Sequence, residues 1–265
     1  MKFGKGSKIV LALLMGAMTI VGLSGLSYIF VPYDQVPNTT SSVYNTVTDI
    51  TLTTSDDVAI AATYYPVAQP HGWVVYSHMM SSDRSSFAPL AIRLSRAGYA
   101  GIAIDLRGHG QSQEGPDGYL EFSDIQHQES VRDIQAAVDF LVQEGAKTSE
   151  VILVGASIGA NLSLVHALQG GFAGVVALSP GLSYKGIDVT QVALSYASSV
   201  PVMLVSSTND PNVLDNDTQT TRLASLLGND VVAEMIESAV PYHGTDILVH
   251  DKSIEDRIVL FITNQ

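Results

Sequence analysis

Val151-Ile152-Leu153-Val154-Gly155-Ala156-Ser157-Ile158-Gly159 carries four consecutive apolar residues straight into a G-x-S-x-G pentapeptide. A short, bounded apolar run predicts a buried strand. Ile158–Leu168 behind it has helical spacing. A serine at such a strand-to-helix junction sits on a sharp turn that pushes its hydroxyl into an open site. Glycine at 155 and 159 leaves room for that turn and for the neighbouring strand. Taken alone, the pentapeptide is equally a glycine-rich turn whose middle residue happens to be serine. The surrounding sequence has to separate the two.

Working outward, short apolar runs alternate with helical segments from about residue 45 to the end. Val47–Thr53 and Val58–Tyr65 alternate like strands around Thr54-Ser55-Asp56-Asp57, which predicts a hairpin. Trp73–Ser77, Ala100–Asp105, Gly174–Leu178, Val200–Ser206 and Val231–Ile236 are further strands. Phe87–Ala97, Ser130–Gln143, Asp217–Leu227 and Asp251–Thr263 are helices. In Ser130–Gln143 the residues Val131, Ile134, Ala137, Val138 and Leu141 share one face. Strands alternating with helices predict an α/β fold. Its sheet is mostly parallel and covered on both faces, with the first hairpin as an antiparallel edge. Ligands of such sheets bind at the carboxyl ends of the strands.

Serine alone is a poor nucleophile. It needs a base within hydrogen-bond reach and an acid that fixes the tautomer of that base. In this topology the three follow in the order Ser, acid, His, each at a different strand tip. His243, in Pro241-Tyr242-His243-Gly244-Thr245-Asp246, lies after the Val231–Ile236 strand and before the last helix, where an order-consistent base belongs. His71 precedes a strand and falls at the wrong end of the sheet. His166 lies inside the helix after Ser157, and His127 and His250 are expected at the surface. Asp210 follows the Val202–Ser206 strand and is the natural acid. Asp215 and Asp217 are reserves, more at home on the surface or at a helix N-cap. An oxyanion needs two backbone N–H donors. Ile158 opens the helix after Ser157 and is expected to supply one. The second is expected from His78-Met79-Met80, with Met80 preferred. The two methionines serve equally as an apolar acyl-pocket lining or as gap fillers.

These pieces together resemble the serine α/β-hydrolase superfamily, in its esterase, lipase and serine aminopeptidase-like branch without a cap. The resemblance rests on Gly155-Ala156-Ser157-Ile158-Gly159, on the segment Ser77–Phe87, and on Asp105-x-Arg107-Gly108-His109-Gly110-x-Ser112. Asp210-Pro211 and His243-Gly244-Thr245-Asp246 complete it. It covers about residues 45–263. It implies an eight-stranded sheet, Ser157, Asp210 and His243 as catalytic triad, and a structural role for Asp105, Arg107 and His109. Two departures stand out. Met79 replaces the glycine usual after the oxyanion-loop histidine. The interval from Leu178 to Val200 is too short for a large lid, which implies an open site and small or extended substrates.

Bulk composition bounds the rest. The 265 residues are 46% apolar and 15% charged, ample for a core. A net charge of −13 argues against nucleic acid as partner. No cysteine is present, which removes disulfides, thiolate nucleophiles and thiolate metal sites. There is no His-x-His or H-E-x-x-H motif, so no metal is expected, and a serine hydrolase needs no cofactor. At the N-terminus Lys2, Lys5 and Lys8 precede an uncharged stretch from Ile9 to Val31. That stretch exceeds the about 20 residues that span a bilayer. Residues 1–31 are therefore expected to be a signal-anchor helix with the lysines cytoplasmic, residues 32–44 a tether, and residues 45–265 an extracytoplasmic catalytic domain. Cleavage near Gly25-Leu26-Ser27, giving a secreted enzyme, is the alternative.

The leading expectation is a carboxylic ester hydrolase acting on a small ester or acyl substrate. A serine aminopeptidase or amidase on the same triad is the nearest rival. A catalytically silent binding protein on the same fold is a different class.

Overall fold

The structure is a computed structural model and describes residues 46–195, 200–228 and 233–265. The expected anchor and tether, residues 1–44, lie outside the described residues. The expected hairpin forms between β1 (Thr48–Thr53) and β2 (Ala59–Tyr65), antiparallel from Thr48↔Tyr64 to Thr53↔Ala59. The Thr54 hydroxyl closes its turn by accepting the Val58 N–H at 2.9 Å and donating to Asp56 at 2.6 Å.

Beyond the hairpin the chain alternates as its apolar runs predict. It passes through β3 (Gly72–Ser77), α1 (Ala88–Arg96) and β4 (Tyr99–Ile104). Next come α2 (Asp124–Glu129), α3 (Val131–Gln143), β5 (Val151–Ala156), α4 (Ile158–Ala167) and β6 (Gly174–Leu178). A small ribbon of β7 (Ser183–Tyr184) and β8 (Ile187–Asp188) leads into α5 (Val189–Leu194). The chain ends with β9 (Val202–Ser207), α6 (Asn216–Leu227), β10 (Ala233–Ser238), α7 (Asp246–His250) and α8 (Lys252–Thr263).

Eight strands form one sheet in the order β1-β2-β4-β3-β5-β6-β9-β10, and only β2 runs against its neighbours. This is the α/β-hydrolase architecture. β3, β4, β5, β6 and β9 are buried along their whole length, as unbroken apolar runs require when helices cover both faces. Alternate residues feed separate cores. Val151 and Leu153 of β5 pack with α3–α6 on one face, while Ile152 and Val154 pack with α1, α7 and α8 on the other.

The short interval between β6 and β9 holds only the β7–β8 ribbon and α5 among its described residues, so the carboxyl edge of the sheet carries no large lid. α2, α5, α7 and the ribbon were not predicted from periodicity. Each is six residues or fewer, too short to show a hydrophobic period. For α2 a local signal did exist. The Ser123 hydroxyl and the Gln126 backbone and side chain form a capping box at its start.

Candidate active site

Ser157 sits where the buried β5 strand turns into α4. Its backbone has φ 52° and ψ −115°, a conformation that a non-glycine residue holds only when its surroundings force it. Close packing does the forcing. A Cβ at Gly155 would stand 2.2 Å from the Gly159 carbonyl oxygen, and one at Gly159 would stand 2.3 Å from that of Ser77. The two glycines let α4 press against both β5 and the end of β3. The Ser157 N–H is held by the Leu178 carbonyl at 2.8 Å, which ties the turn to β6. Ile158 is the first residue of α4, so its N–H has no intrahelical acceptor.

His243 is 5% exposed and lies between β10 and α7. Its Nδ1–H donates to Asp210 Oδ2 at 2.6 Å, and the Asp210 side chain is fully buried. Asp210 Oδ1 accepts the N–H groups of Asn212 at 2.8 Å and Val213 at 3.1 Å. Burial alone would raise the Asp210 carboxyl. The bonds from His243 and the two amides outweigh it and keep the carboxyl below its ordinary range. Asp215 and Asp217, the reserve acids, stand at the start of α6 instead: Asp215 is its N-cap and Asp217 lies in its first turn.

Both neighbours of His243 are pinned. The Ser207 hydroxyl at the end of β9 donates to the Tyr242 carbonyl at 2.7 Å. The Ser179 hydroxyl just past β6 accepts the Gly244 N–H at 2.9 Å. Ser179 is itself held at φ 50°. Neither serine was legible in the sequence, because nothing in Leu178-Ser179-Pro180 or Ser206-Ser207 marks a partner some 35 to 65 positions away.

Ser157 and His243 line one cavity of about 640 Å³. Met79, Met80, Val213 and Leu214 form apolar parts of its wall, and Asn161, Asn216 and Gln219 form polar parts. Met80 lies on the loop that Gly159 packs against, and its sulfur accepts from the Tyr184 hydroxyl of the ribbon at 3.5 Å. The Met79 sulfur occupies the space beside Gly244, 2.7 Å from where a Cβ at that position would stand, and so packs next to the His243 loop. Both methionines therefore line the cavity and also fill space beside it. No Asp, Glu, Lys or Arg is among the described residues of the lining. No group of three or more metal-ligating side chains occurs among the described residues.

The Asp105–Ser112 segment supports the site from behind. Asp105 is fully buried and accepts from the Arg84 and Gln111 N–H groups at 2.7 and 2.8 Å and from the Arg84 guanidinium. Arg107 bonds Asp133 through Nε and Nη2 at 2.9 and 2.8 Å, and Asp56 through Nη1 at 2.8 Å. His78 is fully buried. Its Nδ1–H donates to the Met79 carbonyl at 2.7 Å and its Nε2 accepts the Leu106 N–H at 3.0 Å, so it braces the loop in a neutral tautomer. Burial and the nearby His109 ring lower its pKa to about 4. It has no free nitrogen with which to serve as base.

His71 is exposed and bonded through its N–H to Gly98, at the amino end of β3. His166 packs beside Phe172, and His250 is exposed and stacked on Tyr242. His127 departs from expectation. It is 1% exposed, because α2 turns it inward beside Phe122.

A sequence profile of the family described as serine aminopeptidase, S33, matches residues 68–237. No curated protein matches the chain in sequence. Among solved structures, the Pyrococcus furiosus esterase Pf2001 superposes with a TM-score of 0.67 at 19% identity, covering 83% of this chain and 92% of that one. A predicted CIB-like hydrolase from Thermoplasma acidophilum gives 0.62 at 16%, covering 83% and 99%. The enol-lactonase of Burkholderia xenovorans gives 0.64 at 14%, covering 81% and 100%. At these identities the structures share the fold.

Proposed function

The chain belongs to the serine aminopeptidase S33 family of α/β-hydrolases, and on that premise we propose that it hydrolyses uncharged carboxylic esters through an acyl-enzyme. Ser157 attacks the carbonyl carbon while His243 takes its proton. The backbone N–H groups of Ile158 and Met80 stabilise the oxyanion. His243 then protonates the departing alcohol. Water, deprotonated by His243, attacks the acyl-enzyme and regenerates Ser157. Asp210 keeps the His243 proton on Nδ1, which leaves Nε2 to exchange protons with Ser157 and the leaving group.

The observation that carries this reading is a strained serine and an aspartate-bound histidine on one cavity. Reading the substrate as an ester over an aminopeptidase substrate rests on the wall. An α-ammonium group drawn out of water needs a carboxylate partner. The described lining offers no Asp or Glu. We further propose that Ile9–Val31 anchors the chain in a membrane, with the hydrolase domain on the extracytoplasmic side.

One experiment addresses both proposals. Membranes from cells producing the full chain are treated with a fluorophosphonate probe and assayed on short-chain p-nitrophenyl esters. The labelled protein is expected in the membrane pellet with its N-terminus intact by mass spectrometry, and Ser157→Ala is expected to lose labelling and activity together. Undiminished labelling of Ser157→Ala would remove Ser157 as nucleophile. A soluble labelled product that begins near residue 28 would replace anchoring with secretion.

A further inference from the structure

The polar side chains of the cavity wall are mostly committed to the fold. Asn161 accepts the Gly181 N–H at 2.9 Å and donates to the Ile187 carbonyl at 3.4 Å. Gln219 accepts the Leu182 N–H at 3.2 Å and donates to the Leu214 carbonyl at 3.4 Å. These bonds fasten the ribbon segment to α4 and α6, and they use both ends of each amide.

Asn216 differs. It opens α6, lines the same cavity as Ser157 and is 1% exposed. Its Nδ2–H donates to the Pro180 carbonyl at 3.0 Å, while its Oδ1 is buried with no hydrogen-bond partner among the described residues. The orientation of the amide is fixed. Turning it over would set Oδ1 against the Pro180 oxygen, two acceptors facing each other, and would strand the N–H. A buried acceptor with no donor is costly to keep. Such a group on a cavity wall is where a ligand donor would be repaid.

We infer that Asn216 is a specificity-determining residue, and that the site takes esters bearing a neutral hydroxyl, which donates to Asn216 Oδ1, in preference to the same esters without it. This rests on the ester-hydrolase reading above. A hydroxyl suits the wall better than an ammonium, since no carboxylate among the described lining residues would neutralise a cation. A site built to accept a substrate donor rejects the analogue that lacks it, because the acceptor is then desolvated for nothing.

The test uses the full chain in detergent and two matched ester pairs. One varies the acyl side, p-nitrophenyl 3-hydroxybutyrate against p-nitrophenyl butyrate. The other varies the alcohol side, 3-hydroxypropyl butyrate against propyl butyrate. Active sites are counted by fluorophosphonate titration of Ser157. The hydroxylated member of at least one pair is expected to have a kcat/KM roughly tenfold higher or more. Asn216→Leu is expected to bring that ratio to about one while the plain ester is still cleaved.

Ratios near one in both pairs for the unaltered chain overturn the inference, whatever the variants do. So does a preference that survives in Asn216→Leu. If none of the four esters is cleaved and Ser157 is not labelled, the ester reading itself falls. Equal cleavage of all four removes only the role of Asn216.

Discussion

In the proposed mechanism Ser157, Asp210 and His243 bear the chemistry, and their geometry depends on residues that never meet the substrate carbonyl. Ser207 and Ser179 grip the peptide units on either side of His243. Losing a grip lets the imidazole drift, and a displacement of about 1 Å costs on the order of a hundredfold in rate. Ser207→Ala is therefore expected to lower kcat by roughly 10- to 100-fold with KM nearly unchanged, and Ser207→Thr, which keeps a hydroxyl, to recover most of it. A loss of thermal stability with kcat intact would make Ser207 an ordinary structural residue. The sequence marked the three chemical groups because strand tips announce themselves by composition. It could not mark Ser179, Ser207 or Asn216, since a serine or asparagine shows nothing until its partner is known.

At the scale of elements, the turn after β4 shows how a loop is made rigid enough to back a site. Arg107 is 8% exposed and joins the loop to Asp133 of α3 and to Asp56 of the first hairpin. Removing one partner of a buried ion pair strands the other charge at a cost of about 3–5 kcal/mol. Arg107→Ala is thus expected to lower Tm by on the order of 10 °C for a domain of this size. Calorimetry that finds a shift within about 2 °C would mean that water takes over the guanidinium's contacts. The long elements were legible because each repeats its period several times. The β7–β8 ribbon and α5 were not, although Tyr184 of the ribbon bonds Met80 on the cavity wall. The ribbon segment is held by Asn161 and Gln219 from other elements, and α5 starts on the Asp188 carboxylate, which accepts the Thr190 N–H.

Across the whole molecule, neutral imidazoles are buried in the packing. Burial lowers His78 to about 4, and lowers His109, His127 and His166 as well. In the unfolded chain each titrates near 6.5. Below that pH the unfolded chain binds more protons than the folded one, so stability is complete above about 6.5 and declines as the pH falls towards 4. The depressed carboxyls of Asp56, Asp83, Asp210 and Asp251 add their loss only below the ordinary aspartate range; Asp133, raised to about 6 by burial, opposes the histidines in the upper window, where the four imidazoles outweigh it. Tm is expected to fall steadily from pH 6.5 to 4, and His78→Gln to flatten the slope. A Tm that is level across this window would show that the imidazoles are reached by water.

By itself the sequence determined the layered α/β arrangement, the turn at Ser157 and the places of Asp210 and His243 behind it. Hydrophobic period and glycine placement are local properties, and they fix strands, helices and the sharp turn between β5 and α4. Only the tertiary structure decided which of the neighbouring aspartates meets His243, what clamps the imidazole, and which polar wall group lacks a partner among the described residues. Those outcomes depend on contacts between residues far apart in the chain. The pentapeptide could offer a serine, but the packing of four strand ends around it decided what that serine faces.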